Sequence, residues 1–242
     1  MLRTPNAITY NPFIMKRLFD FMLSLLLIIL LSPLLIPISI VLLLTGEHYI
    51  FFKHKRMGKD GKQFDLIKFS TMLVDSPNLG SGDFTVNNDP RVLPVGKYLR
   101  ITKINELPQL LNILQGDMSF VGPRPLAPKV FNNYKPEDQT FILKMKPGLT
   151  GIGSIVFRNE DAITAQSKLS WADCLRLEIM PYKARLEEWY FNNKNFFIDF
   201  LILFLTAWVV IFPSSDLSFK LFKSLPEKPP YLNAERNNAR TQ

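Results

Sequence analysis

The longest apolar run in the chain lies close to its amino end. Residues 21 to 44 read FMLSLLLIILLSPLLIPISIVLLL and contain no charged residue. At about 1.5 Å per residue, a straight helix over this run would be about 36 Å long, which is enough to cross the hydrocarbon core of a bilayer. The run therefore predicts a membrane helix.

Two features bear on whether this helix crosses the membrane. Ser32 and Pro33 stand at the midpoint of the run and Pro37 follows one turn later, so a bend is expected, with the Ser32 hydroxyl as a donor for the freed carbonyls. Basic residues flank the run on both sides: Arg3, Lys16 and Arg17 before it, and Lys53, Lys55, Arg56, Lys59 and Lys62 after it. A spanning helix normally leaves one flank poor in Lys and Arg. A re-entrant helix broken at Ser32-Pro33 is one interpretation, and an ordinary kinked span is the other.

A second apolar segment, FFIDFLILFLTAWVVIF, covers residues 196 to 212. It is slightly short for a span and carries Asp199. Trp189 and Tyr190 precede it and Trp208 lies within it, which suits a helix at the level of the lipid headgroups. An interfacial helix is the preferred interpretation, and a buried core helix is the alternative.

The region between these segments has mixed periodicity. Residues 49 to 72 alternate around Gly58 and Gly61, which predicts two strands joined by a turn, and residues 79 to 92 have the composition of a loop. Further on, apolar residues at helical spacing precede Gly116, which predicts a helix that ends there: Leu107, Leu110, Leu111 and Leu114. Residues 160 to 195 are charged and predicted to be helical, and the polar tail from Pro226 onward is predicted to be disordered.

Composition narrows the possible partners. The chain of 242 residues is 47% hydrophobic and 21% charged, with a net charge of +8, which favours an anionic partner such as a phosphate or a lipid headgroup. Cys174 is the single cysteine, so an intramolecular disulfide is excluded, and with only two histidines any metal would be a hard ion held by oxygen. The sequence contains no recognisable DNA- or RNA-binding module, so no nucleic-acid partner is expected.

The candidate chemistry is concentrated in KINELPQLLNILQGDMSFVGPRP, residues 103 to 125. Asn105 is a favoured helix N-cap and Glu106 suits the first turn, so both residues also have a purely structural explanation. Pro123 and Pro125 fix the backbone on either side of Arg124 and limit where its guanidinium points. A preset Arg, a helix N-terminus and an acid able to hold Mg²⁺ together suit a diphosphate.

Several motifs in order resemble the bacterial sugar transferases, the monotopic phosphoglycosyl transferases. The resemblance runs from about Lys16 to Phe212 and rests on KRLFDF, the apolar run with Ser32-Pro33, KHKRMGKDGKQFDLIKFSTM, DPRVLPVGKYLR, NELPQLLNILQGDMSFVGPRPL and KPGLTGIGSIVFRNE. It implies an α/β fold, with a small, mainly helical cytosolic catalytic domain, an N-terminal re-entrant membrane helix and interfacial amphipathic helices. It favours the re-entrant interpretation of the first apolar run.

The resemblance also implies a reaction and a location. A sugar-1-phosphate would pass from a nucleotide sugar, usually linked to UDP, to polyprenyl (undecaprenyl) phosphate with the help of Mg²⁺. The site would lie at the cytoplasmic face of the bacterial inner membrane, among membrane lipids, and a homodimer is possible. The product would start a lipid-linked surface glycan such as O-antigen, capsule or exopolysaccharide.

The chain divides accordingly into four parts. We expect an anchoring segment at residues 1–48, a catalytic domain at 49–195 with an insertion at about 160–183, interfacial helices at 196–225 and a polar tail at 226–242. Carried over residue by residue, the resemblance assigns metal binding to Glu106 and contact with the nucleotide or sugar to Arg158 and Asn159. It assigns the phosphates to three basic residues: Lys68, Arg100 and Arg124.

The chain departs from the family at the residue that should be the nucleophile. The family has an Asp-Glu pair whose Asp forms a covalent phosphosugar, whereas this chain has Asn105-Glu106. An amide nitrogen is uncharged and delocalised, so it is a poor nucleophile towards phosphorus. Three explanations stay open: Glu106 takes over as nucleophile or base, Asn105 blocks a reaction that is otherwise intact, or the chain is an inactive relative that binds donor or partner.

Overall fold

A computed structural model describes residues 12–79, 89–213 and 215–232. The longer elements are α1 (Pro12–Leu44), β1 (Phe51–Met57), β2 (Gln63–Phe69), α2 (Pro94–Ile101), α3 (Gln109–Gln115), β3 (Ser119–Val121), α4 (Pro128–Phe131), α5 (Pro136–Leu143), β4 (Gly148–Thr150), α6 (Ile152–Val156), α7 (Glu160–Gln166), α8 (Trp171–Asp173), a π-helical stretch (Cys174–Ile179), α9 (Met180–Asn193), α10 (Phe196–Ile211) and α11 (Leu217–Leu221). Most of the loop predicted for residues 79 to 92 lies outside the described residues. The fold is mixed and mainly helical, as expected.

One described helix, α1, is long and apolar enough to cross a membrane. One side of it packs on the rest of the protein, and the contacts come from both halves of the helix. Leu23, Leu27 and Leu31 pack against the main core, whereas Leu42 is buried in a separate cluster with Phe69. The beginning and the end of α1 therefore contact the same globular unit.

The helix continues through Ser32 and Pro33, so the expected break does not interrupt it. Pro33 lacks the N–H that would bond the carbonyl of Ile29, and the Ser32 hydroxyl donates to that carbonyl instead, at 2.8 Å. The predicted local donor is confirmed. Re-entry into the membrane stays a prediction, which is taken up below.

The amino end of α1 is fixed to the globular part by charged residues. Lys16 pairs with the carboxylate of Asp199, and Arg17 donates to the carbonyls of Ile113 and Leu114 at 2.6 and 2.7 Å. The Asp20 carboxylate accepts from the backbone N–H of Phe120 at 3.1 Å. The KRLFDF motif thus joins the membrane helix to α3, β3 and α10.

The sheet content of the described residues is small and consists of two pairs of strands. β1 and β2 form the predicted antiparallel hairpin, in which Phe51 pairs with Phe69 and Met57 with Gln63. β3 and β4 are parallel and pair Ser119 with Gly148. The core between them is built from α3, α6, α9 and α10.

Helix α3 confirms the predicted end but not the predicted beginning. Gly116 ends it with a left-handed φ of 97°, a conformation that glycine adopts without a Cβ clash. Asn105 is not an N-cap: Ile104–Glu106 forms a 3₁₀ turn, entered through Lys103 at φ 60°, and α3 begins only at Gln109. The purely structural role considered for the Asn105 side chain is therefore not the one observed.

Helix α10 packs one side on the core, as the core alternative predicted, whereas its position at a membrane interface stays a prediction. Ile202, Leu205 and Val209 are buried in the core, while the opposite side exposes large apolar residues: Phe196, Phe197, Phe200, Phe204, Val210 and Ile211. Asp199 lies on the buried side, where its Oδ1 accepts from the Tyr190 hydroxyl at 2.5 Å.

The beginning of the polar tail is ordered against the domain, which corrects the prediction of disorder from Pro226 onward. The carbonyl of Pro226 accepts from the Tyr182 hydroxyl at 2.9 Å, the Tyr231 hydroxyl donates to the carbonyl of Glu178 at 2.7 Å, and Leu232 is buried. These apolar and aromatic groups in a polar segment bury enough surface to hold it in place. Residues 233 to 242 lie outside the described part.

Candidate active site

Four neighbouring elements supply the residues of a cleft of about 280 Å³. Lys68 comes from β2, Arg100 from the end of α2, and Asn105 and Glu106 from the 3₁₀ turn before α3. Arg124 follows β3 in the Gly-Pro-Arg-Pro turn. Five predicted site residues that are up to 56 positions apart in the sequence therefore meet at one place.

Glu106 is the centre of the charges in this cleft. Its Oε1 lies 3.0 Å from the Lys68 ammonium nitrogen and 3.7 Å from Nη2 of Arg124. Lys68 and Glu106 are both mostly buried, whereas the Arg124 side chain is 54% exposed. Lys68 and Glu106 are thus held in place, and Arg124 faces the solvent, from which a substrate would enter.

The environment of Glu106 keeps it ionised. Burial alone would raise the pKa of this carboxyl, but the charges of Lys68 and Arg124 outweigh burial and hold the pKa at about 2. Burial lowers the pKa of Lys68, and the neighbouring Glu106 offsets part of that effect. At neutral pH, Glu106 is a carboxylate surrounded by cations, and it is the only carboxylate among the described residues that line the cleft.

Asn105 is buried in the wall of the cleft, and its Oδ1 has no hydrogen-bond partner among the described residues. A buried oxygen without a partner costs about 1–3 kcal/mol, so such an atom indicates a ligand or ion that supplies the missing contact. This oxygen and the Glu106 carboxylate are adjacent hard ligands. Mg²⁺ is commonly held by one or two protein oxygens together with phosphates and waters, so these two residues fit that ion.

Arg158 lies in a second cavity of about 300 Å³ that adjoins the cleft and shares Lys103, Glu106 and Arg124 with it. Its other charged residues come from the end of α6, from α7 and from α9: Arg158, Glu160, Lys183 and Glu187. Lys183 lies 2.6 Å from Oε2 of Glu160 and over the ring of Phe157. The predicted insertion at residues 160–183 thus contributes Glu160 and Lys183 to this wall.

Comparison with known proteins identifies a family for this chain. Residues 11–213 match the family described as bacterial sugar transferase. This chain belongs to that family. Three relatives illustrate it. The undecaprenyl-phosphate galactose phosphotransferase of Salmonella typhimurium is 33% identical over 81% of this chain and 40% of the relative. The UDP-glucose:undecaprenyl-phosphate glucose-1-phosphate transferase of Klebsiella pneumoniae is 35% identical over 80% of this chain and 39% of the relative.

The third relative is closer in length. The exopolysaccharide production protein ExoY of Rhizobium meliloti is 32% identical over 79% of this chain and 83% of the relative. This chain thus matches about two fifths of the length of the Salmonella and Klebsiella proteins but most of ExoY. Membership of the family assigns the chain to the bacterial sugar transferases.

The structure places the two remaining predicted residues of this sugar transferase, Arg158 and Asn159, in different surroundings. Arg158 is exposed and lines the second cavity, but Asn159 is exposed and lies outside the described linings of both cavities. Three charged residues that the sequence analysis did not single out line the second cavity: Glu160, Lys183 and Glu187. For Glu187 a signal existed, because it lies three residues from both Ala184 and Tyr190 and therefore on the buried side of α9.

Proposed function

We propose that this sugar transferase moves a sugar-1-phosphate from a UDP-sugar to a polyprenyl phosphate such as undecaprenyl phosphate. The observation that carries the proposal is the cleft in which Lys68 and Arg124 lie against the Glu106 carboxylate, with Asn105 and Arg100 in the same lining. Phosphoryl transfer needs positioned charges around the phosphates and little other chemistry from the protein, and this cleft offers such charges. The name of the Klebsiella relative supports the same donor and acceptor classes, and the name of the Salmonella relative supports the same acceptor.

Each residue of the cleft has its own role in this proposed reaction. Arg124 and Arg100 bind the donor's diphosphate from the open side, and Lys68 neutralises charge from the buried side. Mg²⁺, when bound at Glu106 and Asn105, would supply further neutralisation of the phosphate oxygens. In the net reaction, an oxygen of the polyprenyl phosphate forms a bond to the sugar-linked phosphorus of the donor. The phosphoanhydride bond of the donor breaks, and UMP leaves with the bonding electron pair.

The acceptor is a lipid, and the apolar surfaces of the chain fit that substrate. The long helix α1 and the exposed side of α10 would hold the cleft at the inner membrane, on its cytoplasmic face. Because both ends of α1 contact one globular unit, we propose that the helix enters and leaves by the same face. Cysteines introduced at Lys16 and at Lys53 should react with a membrane-impermeant reagent from the same side; reaction from opposite sides would contradict re-entry.

Asn105 supports a second candidate function. An amide at this position and a Glu106 carboxylate already paired with Lys68 and Arg124 together suit a protein that binds a donor without turning it over. Such a protein would act as a membrane-bound donor-binding scaffold.

Release of UMP decides between the two functions. The chain in membranes, with Mg²⁺, undecaprenyl phosphate and a panel of UDP-sugars, should release UMP, and Asn105→Asp should release it faster. The exposed Asn132→Asp is the matched control and should change nothing. Donor binding with no UMP from either the chain or Asn105→Asp would favour the scaffold. UMP release that Asn105→Asp leaves unchanged would show that residue 105 is not at the nucleophile's position.

A further inference from the structure

Glu187 is a buried carboxyl that the phosphate chemistry does not use. It lies on α9, is 7% exposed, and lines the second cavity. The backbone N–H of Gly153 in α6 donates to this carboxyl, and Gly153 approaches so closely that a Cβ there would lie 2.6 Å from Oε1. The contact with α6 fixes one side of the carboxyl and leaves the other oxygen for another partner.

That other oxygen, Oε2, has no hydrogen-bond partner among the described residues. Burial of a carboxyl oxygen without a partner is costly, and the chain carries this cost at a cavity wall rather than within the packed core. Asn105, in the wall of the adjoining cleft, likewise has a buried side-chain oxygen without a hydrogen-bond partner among the described residues. Both unpaired oxygens thus belong to residues that line a space that a ligand would fill.

Apart from Arg158 and the charged residues that it shares with the cleft, the second cavity has walls that suit a neutral, hydroxyl-rich ligand. Tyr134, Ile142 and Phe157 supply apolar and aromatic surface, and the charges of Glu160 and Lys183 are already paired with each other. Among the described residues, no group of three His, Cys, Asp or Glu side chains lies close enough to hold a metal ion. A few fixed polar groups on an apolar wall are what orient a small ligand.

The position of the cavity indicates which part of the donor it would receive. It shares Lys103, Glu106 and Arg124 with the cleft assigned to the phosphates. A donor whose diphosphate contacts Arg124 from the cleft would place the adjoining group of the same molecule in the second cavity. In a UDP-sugar, a hexose adjoins the diphosphate on one side and a ribose on the other, and both carry hydroxyl groups.

We infer that the second cavity holds the sugar ring of the donor and that Glu187 hydrogen-bonds one of its hydroxyl groups. This inference rests on the proposed function for the identity of the donor. It makes Glu187 a residue that selects the sugar, by contact with the substrate. A site built to bond a hydroxyl discriminates against a sugar that lacks it, because the buried carboxyl oxygen then stays unpaired.

The protonation state of Glu187 fits this role. Burial raises the pKa of this carboxyl to about 8, although the charge of Lys183 and the Gly153 N–H oppose the shift. Near pH 7 the group is therefore mostly neutral and can both donate to and accept from a hydroxyl.

The test pairs changes in the protein with changes in the ligand. Affinities for UDP, a UDP-hexose and its four monodeoxy analogues are measured for the chain and for Glu187→Ala and Glu187→Gln, with Glu188→Gln as the matched control. Glu188 is the next residue of α9 and is exposed. We expect one deoxy analogue to bind the unaltered chain about 10- to 100-fold more weakly than the parent sugar. In Glu187→Ala that penalty disappears, in Glu187→Gln part of it remains, and UDP binds all variants equally.

A second variant moves the carboxyl without removing it. Gly153→Ala places a Cβ against Oε1 of Glu187, and it should weaken discrimination among the deoxy analogues while UDP affinity is unchanged. A merely structural Glu187 would lower thermal stability on substitution but leave the deoxy pattern unaltered, which would overturn the inference. Equal losses of UDP and UDP-hexose affinity in Glu187→Ala would assign the cavity to the nucleoside and overturn it too.

Failure of the proposed function is distinguishable from these results. If the chain binds no UDP-sugar and no UDP at all, the proposed function and the inference both fall. If it binds UDP-sugars with the Glu187-dependent pattern but releases no UMP, the inference stands and the donor-binding scaffold is favoured.

Discussion

The two adjoining cavities shift the pKa values of their central glutamates in opposite directions. Glu106 is held by Lys68 and Arg124, so its pKa lies at about 2, whereas Glu187 lies against an apolar wall and its pKa is raised to about 8. Neighbouring sites whose carboxyls titrate so far apart can do different chemistry at one pH. The cleft concentrates charge for phosphates, and the cavity keeps a neutral polar group for hydroxyls.

The largest effect should come from removing the charge in the cleft. Glu106→Gln leaves Lys68 buried without its partner and removes the carboxylate proposed for Mg²⁺, so UMP release should fall about 1,000-fold in the Asn105→Asp background. Steady-state UMP release measures it. The control is Asp65→Asn, which breaks the exposed pair with Lys55 on the neighbouring hairpin and should leave the rate unchanged. A loss below tenfold would contradict the central role of Glu106.

The next largest effect is a change in the free energy of unfolding, which comes from Glu187 in the second cavity. In the unfolded chain Glu187 loses its proton near pH 4.5, but in the folded chain it keeps the proton up to about pH 8. The folded state therefore binds more protons between these values, and stability falls as pH rises by up to about 1.4 kcal/mol per pH unit. Glu187→Gln cannot ionise, so it should be the more stable protein at pH 8, by about 4 kcal/mol.

Thermal unfolding in detergent at pH 6 and pH 8 measures this difference. Glu188→Gln, an exposed neighbour, should follow the unaltered chain at both pH values. A Glu187→Gln variant that is less stable at pH 8 would show that the folded chain holds Glu187 as a carboxylate, and the contrast between the two cavities would disappear.

A smaller effect is expected at the rim of the second cavity. Arg158 is exposed and pairs with no acid in the described part of the chain, so it is available to a bound donor. Arg158→Ala should raise the KM for the UDP-sugar about fivefold to tenfold with little change in kcat. Arg176→Ala, an exposed arginine outside both linings, is the control. A fall in kcat at unchanged KM would place Arg158 at the phosphates instead.

The smallest effect should be at Asn159. The resemblance assigns it to substrate binding, but its side chain is exposed and lies outside the described linings of both cavities. Asn159→Ala should change kcat/KM by no more than about twofold. A loss of tenfold or more would mean that a bound donor draws this segment into the site.

Local patterns in the sequence predicted the parts of the fold that depend on local rules. Alternation around Gly58 and Gly61 located the hairpin, and leucine spacing before Gly116 located α3. The 3₁₀ turn at Asn105 was missed because Lys103 adopts a left-handed conformation that its residue type does not favour. The ordered tail was missed because Tyr231 and Leu232 find their pockets only after the chain has folded.

The site was predicted to the extent that motifs encode it. Resemblance identified Lys68, Glu106 and Arg124, and the structure shows that they meet. Glu187 was missed because α9 carries adjacent acids and the helical spacing of Glu187 from Ala184 and Tyr190 was not used; its contact with Gly153 arises only in the folded chain. A pKa shift of this kind depends on neighbours that are distant in sequence.

The contacts of Arg17 with Ile113 and Leu114 have a consequence for any shortened version of the protein. The guanidinium satisfies carbonyls in the last turn of α3, and the turn that carries Asn105 and Glu106 lies just before that short helix. A chain that began after residue 44 would lose those bonds and expose apolar surface at the base of the cleft. Helix α1 is thus also part of the scaffold that positions the residues of the cleft, and solubility gained by trimming it would come with a loosened site.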